Sequence, residues 1–355
     1  MDWAVPRYSK AQVDLAGRTV ADGSASAEAR GLALAVVDNW RASHSFPLNT
    51  IQVGLRQKAK NLDKGSIVAQ RIKRLSSIKS KLDRFPSMNL SRMQDLGGCR
   101  AVVSNVDQVN GLRELYRASN HKHRLVREDD YIAQPKDSGY RGIHLVYRYF
   151  SDRKTTYNGL LIEMQLRTQL QHTWATAVET AGTFIQQALK SSQGQAEWLH
   201  FFTLMGTAIA LREKCAPVPG TATDIVGIRE EIRICAAELD VVSRLTAFGQ
   251  ALTWMEEPEI RRLGAHFYIL ELSVPDRTMR LRAYRASESE KAAMEYAAIE
   301  RTLPDRPGVD AVLVSVESAA ALRRAYPNYF LDTTAFVEEV QKVLSAANRQ
   351  TRHRG

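Results

Sequence analysis

The stretch from residue 130 to residue 174 constrains the fold more than any other part of this chain. Its centre is the segment Ser138–His144, in which a tyrosine lies between glycines and beside an arginine. Residues 144–150 and 160–166 then alternate apolar and polar side chains, as half-buried strands do. Tyr157-Asn158-Gly159 lies between them and is a hairpin signal. The sequence therefore predicts a loop followed by two paired strands, with chemistry-bearing side chains along them.

Two carboxylates and several cations predict phosphate chemistry here. Asp95 comes just before the apolar run Leu96–Val103, and Glu163 lies within the second strand of the hairpin. Carboxylates from neighbouring strands can converge on Mg²⁺, which prefers carboxylate, phosphate and water oxygens. A loop tyrosine such as Tyr140 can stack on a nucleotide base, although it could equally cover the edge of a core. The cations available to neutralise a polyphosphate are Arg71, Lys73, Lys81 and Arg100.

The positive charge of the chain is concentrated in one segment. The net charge is +10, and residues 51–128 hold 17 basic and 6 acidic side chains. The remaining 32 basic and 33 acidic residues nearly cancel. Two interpretations are open: a solvated basic face, or a surface that binds a polyanion such as nucleotide phosphates or RNA.

Composition excludes several classes of protein. No apolar run approaches the ~18 residues that cross a bilayer, and the first residues lack the layout of a signal peptide. The three cysteines, Cys99, Cys215 and Cys235, are odd in number and far apart. They suit neither a disulfide framework nor a four-thiolate zinc site. We therefore expect a cytoplasmic protein with no membrane partner.

Helical and strand patterns divide the chain into an expected series of regions. Residues 26–60 read as helical with a break at 47–50, residues 66–84 as one basic helix, and residues 106–119 and 169–189 as further helices. After a mostly helical stretch, strand patterns near 267–272, 279–284 and 309–316 alternate with helices. The expected regions are an N-terminal helical region (1–60), a catalytic core (61–190), a helical extension (191–258), a small C-terminal α+β domain (259–346) and a basic, disordered tail (347–355).

Several blocks between residues 67 and 180 occur together in a fixed order. They are Arg71-Ile72-Lys73 with Ser77 and Lys81, Asp95–Arg100, Asp130-Tyr131 with Pro135-Lys136, Gly139–His144, and Glu163–Thr168 continued by Gln171, Trp174 and Glu179. This order resembles the synthetase domain of the RelA/SpoT family, which moves pyrophosphate from ATP to a ribose 3′-hydroxyl. The resemblance implies an α+β fold whose core is a mixed, nucleotidyltransferase-like β-sheet flanked by helices.

The resemblance also implies roles for individual residues. Asp95 and Glu163 are the expected catalytic residues and Mg²⁺ ligands, and Glu163 would help to activate the acceptor hydroxyl. The expected ATP-binding residues are Arg71, Lys73, Ser77, Lys81 and Arg100. The expected acceptor-binding residues are Lys136, Tyr140, Arg141, His144, Gln165 and Arg167.

Two departures from the family pattern matter. Nothing before residue 60 resembles the family's hydrolase domain, and the chain contains no His-Asp dipeptide, so we expect synthesis without hydrolysis. Gly142 stands where the family usually has serine, which bears on the choice of acceptor.

The acceptor is either a nucleotide or tRNA. GDP, GTP or an adenine nucleotide would make the product an alarmone, whereas the 3′-terminal adenosine of tRNA would make the enzyme a translation inhibitor of the family's toxic branch. Six cations have no role in the blocks above and could follow a tRNA backbone: Lys58, Lys60, Arg113, Arg117, Lys122 and Arg124. They favour tRNA. A non-catalytic RNA-binding regulator on the same scaffold is the alternative of another class.

The C-terminal region holds a second resemblance. Tyr326-Pro327-Asn328-Tyr329 resembles the module of CapRel-type fused toxin–antitoxin proteins, called a pseudo-zinc finger because it lacks metal ligands. In that module a Tyr-x-x-Tyr segment occupies the ATP-binding region until a phage protein, such as a capsid protein, releases it. The resemblance implies that Tyr326 and Tyr329 are autoinhibitory and that the protein acts in anti-phage defence. The alternative is that both are ordinary core aromatics.

Overall fold

The structure is a computed structural model in which the following parts of the chain are described. They are residues 3–188, 195–250, 253–256, 265–273, 275–276, 278–303, 306, 308–316, 319–327 and 332–352.

The first half of the chain alternates helices with five strands. Its elements are α1 (Lys10–Ala21), α2 (Ala27–Ser43), α3 (Ser45–Leu62), β1 (Ile67–Ile72), α4 (Leu75–Arg84), β2 (Gly97–Val103), α5 (Val106–Arg117), β3 (Arg124–Asp130), β4 (Ile143–Arg148), β5 (Leu161–Thr168), α6 (Gln169–Ala188) and α7 (Gln195–Arg212).

The second half begins with helices and then adds further strands. Its elements are α8 (Ile225–Glu238), α9 (Val241–Gln250), β6 (Thr253–Glu256), β7 (Ala265–Ser273), β8 (Thr278–Arg285), α10 (Ser289–Thr302), β9 (Val309–Ser315), α11 (Ala319–Ala325) and α12 (Thr334–Arg352). Among the described helices, none is long and apolar enough to cross a membrane.

All described strands form one mixed sheet, in the order β3-β4-β5-β2-β1-β9-β7-β8-β6. The β2–β5 and β6–β8 pairs are parallel and the others are antiparallel. Apolar side chains of β2, β4 and β5 are almost completely buried beneath the N-terminal helices, which is why these short β-branched and apolar runs form central strands. The predicted α+β class with a mixed sheet is confirmed.

The elements β7, β8, α10, β9, α11 and α12 are called the C-terminal unit. Its strands continue the sheet of the first half. β9 pairs with the outer edge of β1, where Gln70 lies opposite Ser315 and Arg71 opposite Val314. Ala69 of β1 is buried in one apolar cluster with residues of β7, β9 and α11. An unpaired edge strand is a template for aggregation, and here β9 covers that edge. The division into separate domains at residues 61–190 and 259–346 stays a prediction.

The basic helix predicted over residues 66–84 is wrong in its first half. Ile67–Ile72 is strand β1, antiparallel to β2. Short apolar runs fit either period, and pairing on both sides with β2 and β9 decides for the strand. The helix begins only at Leu75, after Arg74 in extended conformation.

The disordered tail predicted at residues 347–355 is also wrong over its described part. Helix α12 continues to Arg352. Its apolar face packs Phe336, Val337 and Val340 against α7, α8 and α9, so the helix propagates past the last packed turn. Helix α1 and strand β3 were not expected from the sequence.

Candidate active site

The topology brings the predicted catalytic and ATP-binding residues to one cavity. β1 and β2 are antiparallel neighbours, β2 and β5 are parallel, and Gly98 lies opposite Glu163. The cavity has a volume of about 60 Å³. Its lining includes Arg71, Lys73, Ser77, Asp95, Arg100, Glu163, Gln165 and Tyr326. Lys81 lines the adjoining groove along α4, which shares Lys73, Ser77 and Asp95 with the cavity.

Asp95 is held by two lysines. Lys73 Nζ lies 2.9 Å from one carboxylate oxygen and Lys81 Nζ 3.0 Å from the other. Burial acts to raise the pKa of Asp95, but the two ammonium groups outweigh it and keep that pKa below its ordinary value. The carboxylate is therefore ionised near neutral pH and available to a cation.

Glu163 accepts hydrogen bonds on both of its oxygens. His144 Nδ1 lies 2.9 Å from Oε1, and Gln165 Nε2 donates to Oε2 at 2.8 Å. Burial acts to raise the pKa of Glu163, yet the bonds from His144 and Gln165 hold it below its ordinary value. Glu163 is thus an ionised, oriented carboxylate on the cavity wall.

A chain of hydrogen bonds joins Glu163 to the loop tyrosine. His144 Nε2 lies 2.5 Å from the Tyr140 hydroxyl, which also accepts a bond from Arg167. Since Arg167 can only donate, the Tyr140 hydroxyl hydrogen is left for His144 Nε2. His144 Nδ1–H then points at Glu163.

Cations cover the Tyr140 ring. The Arg167 guanidinium carbon lies 4.7 Å from the ring centroid, and Lys136 Nζ lies 5.1 Å from it and 4.3 Å from the Tyr131 centroid. These distances are typical of cation–π contacts. Lys136, Tyr140, His144, Gln165 and Arg167 are therefore assembled as one group. Tyr131, for which the sequence predicts no separate role, joins this group through Lys136.

Two glycines shape the loop that carries Tyr140. Gly139 and Gly142 have φ of +90° and +146°, which side chains disfavour. A Cβ on Gly142 would lie 3.1 Å from Arg167 Cγ and 3.2 Å from the Leu166 carbonyl. The glycine at position 142, where the family usually has serine, is therefore required by the local backbone.

Arg141 is the predicted acceptor-binding residue whose side chain does not join the group around Tyr140. Its side chain is buried and donates to the carbonyls of Ile132, at 3.1 Å, and of Ala216. The guanidinium thus ties the loop to the end of α7. The sequence could not show this, because the two carbonyl partners lie 9 and 75 residues away in the chain.

Gln171 and Trp174, which continue the family pattern into α6, hold that helix against α7 and the segment after it. Gln171 donates to Glu213 at 2.9 Å, and Trp174 Nε1 donates to the Phe202 carbonyl at 2.8 Å. A Cβ on Gly139 would lie 3.1 Å from the Trp174 ring. Helices α6 and α7 therefore support the loop that carries Tyr140.

Arg100 is connected to the C-terminal unit through a histidine that the sequence did not single out. Arg100 Nη1 lies 3.2 Å from His172 Nδ1, and His172 Nε2 lies 3.1 Å from the Arg324 carbonyl. Burial and the neighbouring Arg100 lower the pKa of His172 well below its ordinary value. Burial, together with Arg167, lowers the pKa of Arg100 to about 10.

Tyr326 forms part of the cavity wall. Its side chain is buried, its hydroxyl donates to the Gln70 carbonyl at 3.0 Å, and the Arg100 guanidinium carbon lies 5.5 Å from its ring centroid. Burial raises the pKa of this phenol, so it is neutral. Tyr329, the other expected autoinhibitory residue, lies outside the described residues.

The donor set fits Mg²⁺. Asp95 and Glu163 line the same cavity, and the charge of Asp95 acts on Glu163. Asp95 and Glu163 would supply two of the carboxylate ligands that Mg²⁺ prefers. No group of three or more His, Cys, Asp or Glu side chains placed to hold a metal occurs within the described residues.

Several cations of the basic segment are ion-paired. Arg113 bonds Glu128 at 2.5 Å and Asp130 at 2.9 Å, and Arg117 bonds Glu128 at 2.6 Å. Lys122 pairs with Asp152. Part of the positive charge of residues 51–128 is therefore neutralised by Glu128, at the end of that segment, and by Asp130 and Asp152 beyond it.

Comparison with known proteins places the site in a family. Residues 70–184 match the family model "Region found in RelA / SpoT proteins". The chain is 35% identical over 111 residues to the GTP pyrophosphokinase YjbM of Bacillus subtilis (strain 168), which corresponds to 31% of this chain and 52% of that protein. The chain thus spans about half the length of this curated relative.

Solved structures of the same kind also resemble the chain. Small alarmone synthetase 1 from Bacillus subtilis, bound to its product pppGpp, is 30% identical with a TM-score of 0.34, over 42% of this chain and 77% of that chain. Small alarmone synthetase 2 from Bacillus subtilis is 19% identical with a TM-score of 0.42, over 50% of this chain and 93% of that chain.

The family match covers β1, α4, β2, the Tyr140 loop and β5, which are the elements that build the cavity. The resemblance stated from the sequence is confirmed at the level of the family, and the CapRel-type branch stays a prediction. Residues 70–184 of this chain are a RelA/SpoT region.

Proposed function

We propose that this chain is a pyrophosphokinase that transfers pyrophosphate from ATP to the 3′-hydroxyl of a nucleotide or RNA acceptor. The observation that carries the proposal is the single cavity in which two ionised carboxylates, Asp95 and Glu163, face Arg71, Lys73 and Arg100. Phosphoryl-type transfer depends on positioned cations and a metal rather than on a covalent enzyme intermediate. The relative named GTP pyrophosphokinase supports the same activity.

The reaction uses these side chains in defined roles. The acceptor 3′-oxygen attacks the β-phosphorus of ATP, the bond between that phosphorus and the α–β bridging oxygen breaks, and AMP leaves with the bridging oxygen. Glu163 accepts the hydroxyl proton as the new bond forms, and His144 holds the carboxylate in place at 2.9 Å. Mg²⁺, when held by Asp95 and Glu163, would neutralise phosphate charge.

The same proposal includes autoinhibition. A cavity of about 60 Å³ with Tyr326 in its wall is far smaller than the ~300–1,000 Å³ of typical small-molecule pockets. The adjoining groove along α4, with a volume of about 580 Å³, is open, but Arg71 and Arg100 line the small cavity and Tyr326 shares its wall. Displacement of Tyr326 would give ATP phosphates room at these two arginines, which supports an inhibitory role for the C-terminal unit. Release by a phage protein, such as a capsid protein, and a role in anti-phage defence rest on the resemblance to CapRel-type proteins.

Two acceptors are distinguished by different observations. A guanine nucleotide is favoured by the relative, named as a GTP pyrophosphokinase. The 3′-terminal adenosine of tRNA is favoured by the basic segment, but three of its six unassigned cations, Arg113, Arg117 and Lys122, are ion-paired. That pairing weakens the argument for an extended RNA surface.

The deciding experiment supplies ATP labelled at the γ-phosphate. The Tyr326→Ala chain is incubated with GDP, GTP, an adenine nucleotide or deacylated tRNA, and each product is separated. Label in a nucleotide product supports alarmone synthesis, and label in tRNA supports the toxic branch. Label in none of them, from a folded protein that binds ATP, would contradict the proposed activity.

A further inference from the structure

Glu300, on helix α10 of the C-terminal unit, reaches the start of the ATP-binding helix α4. Its side chain is buried, and Oε1 accepts a hydrogen bond from the Leu75 amide at 2.8 Å and from the Tyr296 hydroxyl at 2.6 Å. Leu75 is the first residue of α4, so its amide is one of the donors that a helix leaves without a backbone partner. A carboxylate there also meets the positive end of the helix dipole.

The other oxygen of Glu300 is paired with a buried arginine of the N-terminal region. Arg41 Nη2 lies 2.7 Å from Glu300 Oε2, and Arg41 Nε donates to the Lys73 carbonyl at 3.0 Å. Asp38 completes the set at 3.0 Å from Arg41 Nη1. Burial opposes the charge of Arg41, but Glu300 and the other neighbours outweigh it and raise its pKa. Arg41 is thus a charged guanidinium within this buried contact.

A second carboxylate of the C-terminal unit forms an ion pair with the residue between Lys73 and Leu75. Asp310 of β9 pairs with Arg74, which precedes α4. Asp310 and Arg74 side chains are 37% and 28% exposed, so this pair is accessible to water whereas the Arg41–Glu300 pair is not. Residues 73–75 are therefore contacted by Arg41, Asp310 and Glu300 in succession.

These contacts are separate from those of Tyr326. Tyr326 bonds the Gln70 carbonyl and lies beneath Arg100, whereas Glu300 is absent from the cavity lining. Tyr326 fills space that a nucleotide needs, but Glu300 and Asp310 supply negative charge to a helix start and an arginine that would otherwise favour an anion.

We propose that Glu300 and Asp310 form a carboxylate clasp that holds the C-terminal unit on the start of helix α4 and restrains ATP binding independently of Tyr326. This proposal rests on the proposed function, because it assigns a regulatory role at the same ATP site. Opening returns Arg41 and the Leu75 amide to water or to a phosphate. Substitution of Glu300 by glutamine leaves the buried Arg41 with Asp38 as its remaining carboxylate partner. The loss of one carboxylate from a buried ion pair destabilises the closed form, so the equilibrium shifts toward the open form.

The test compares four single variants of the full chain: Glu300→Gln, Asp310→Asn, Tyr326→Ala and the matched control Glu290→Gln. Glu290 is an exposed carboxylate on the same helix. The first readout is the Kd for α,β-methylene-ATP, which binds without transfer. The second is hydrogen exchange at the amides of residues 75–77, and thermal unfolding of each variant verifies folding.

We expect Glu300→Gln and Asp310→Asn to bind the analogue more tightly, by about five-fold or more for Glu300→Gln, the lower end of ordinary allosteric coupling. Exchange at residue 75 should accelerate in Glu300→Gln, and Glu290→Gln should match the unsubstituted protein. Combined with Tyr326→Ala, Glu300→Gln should tighten binding beyond either single variant.

Unchanged Kd and unchanged exchange in both clasp variants would overturn the proposal, as would a Glu300→Gln/Tyr326→Ala protein that binds no better than Tyr326→Ala alone. If Glu300→Gln fails to fold, the partly exposed Asp310→Asn decides by the same criteria. Neither readout requires catalysis, so a chain that binds the analogue as expected but transfers no pyrophosphate would contradict the proposed function and leave the clasp supported.

Discussion

At the scale of single residues, a chain of hydrogen bonds from Tyr140 through His144 to Glu163 orients the proposed proton acceptor. Arg167 donates to the Tyr140 hydroxyl, and the two bonds of His144, at 2.5 Å and 2.9 Å, set the direction of the hydrogens. Glu163 is consequently an acceptor fixed on the cavity wall. A role for Tyr140 in base stacking requires Lys136 or Arg167 to move from its ring.

Substitution of Glu163 by glutamine tests the proposed proton acceptor. In the Tyr326→Ala background we expect Glu163→Gln to reduce the rate of transfer by roughly 10²–10⁴-fold, the range ordinary for general base catalysis. The rate is measured with γ-labelled ATP. Glu114→Gln is the control, since Glu114 is exposed and 63% accessible, and it should leave the rate unchanged. Full transfer by Glu163→Gln would remove Glu163 from the mechanism.

Asp63 is a residue whose titration should affect stability. It accepts bonds from the Ser104 amide at 2.8 Å, the Ser104 hydroxyl at 2.7 Å and the Gly65 amide at 2.8 Å. Burial acts to raise the pKa of Asp63, but these bonds outweigh it and lower the pKa. A lowered pKa in the folded state contributes stability above the ordinary carboxyl range near 4, and this stability is lost as pH falls through the folded value.

We therefore expect Asp63→Asn to lower the free energy of unfolding at pH 7 and to lower it less at pH 3. Urea unfolding of both proteins at the two pH values measures the difference. An equal loss at both values would mean that the charge of Asp63 is unimportant, and that only its hydrogen-bond geometry matters.

At the scale of elements, the loop between β3 and β4 depends on glycine at position 142. Its φ is +146°, which side chains disfavour, and a Cβ at this position would lie 3.2 Å from the Leu166 carbonyl, so this neighbour would have to shift slightly to admit a side chain. We expect Gly142→Ala to destabilise the fold by ~1 kcal/mol or more and to weaken acceptor binding, because Tyr140 and Arg167 flank that position.

Gly31→Ala is the matched control for that substitution. Gly31 lies in helix α2 with nothing within 4 Å of a Cβ, so alanine should raise stability slightly through helix propensity. Thermal unfolding measures both changes. A Gly142→Ala chain as stable as the parent would show that the loop relaxes to another conformation.

The elements also show where local pattern fails. Residues 67–72 fit a helical spacing, yet they form β1 because β2 and β9 pair with them on either side. By contrast, β4 and β5 were predicted closely, since a two-residue period bounded by a turn signal has few alternative interpretations. Helix α1 was not predicted. Its local sequence signal is the reciprocal capping box that Ser9 and Gln12 form at its start.

At the scale of the whole molecule, the sheet couples the cavity to the C-terminal unit. β9 extends the sheet beyond β1, and Tyr326 follows α11 into the cavity. If only the open form binds ATP, the apparent Kd equals the intrinsic Kd divided by the open fraction. We therefore expect Tyr326→Ala to lower the apparent Kd for ATP and to raise transfer, as measured by binding of the methylene analogue and by labelled ATP.

Tyr326→Phe separates the volume of the ring from its hydrogen bond. It loses the bond to the Gln70 carbonyl but still fills the cavity, so we expect binding intermediate between the parent and Tyr326→Ala. Equal ATP affinity in all three proteins would contradict autoinhibition by this residue.

Removal of residues 260–355 should also raise activity, but it uncovers the edge of β1 and the apolar surface around Ala69. We expect that truncated chain to aggregate more readily than the point variant, which light scattering at matched concentration would measure. A truncated chain that stays monodisperse would show that β1 tolerates an open edge.

Sequence motifs identified the family and predicted most residues of the candidate site, because short blocks of charged, glycine and aromatic residues keep their spacing within one strand or loop. The three-dimensional fold was needed to show that Arg141 donates to backbone carbonyls, that His172 contacts Arg100, and that Tyr326 and Glu300 reach β1 and α4. Those contacts join residues distant in the chain. Their side-chain directions follow from strand register and burial, which a local pattern does not encode.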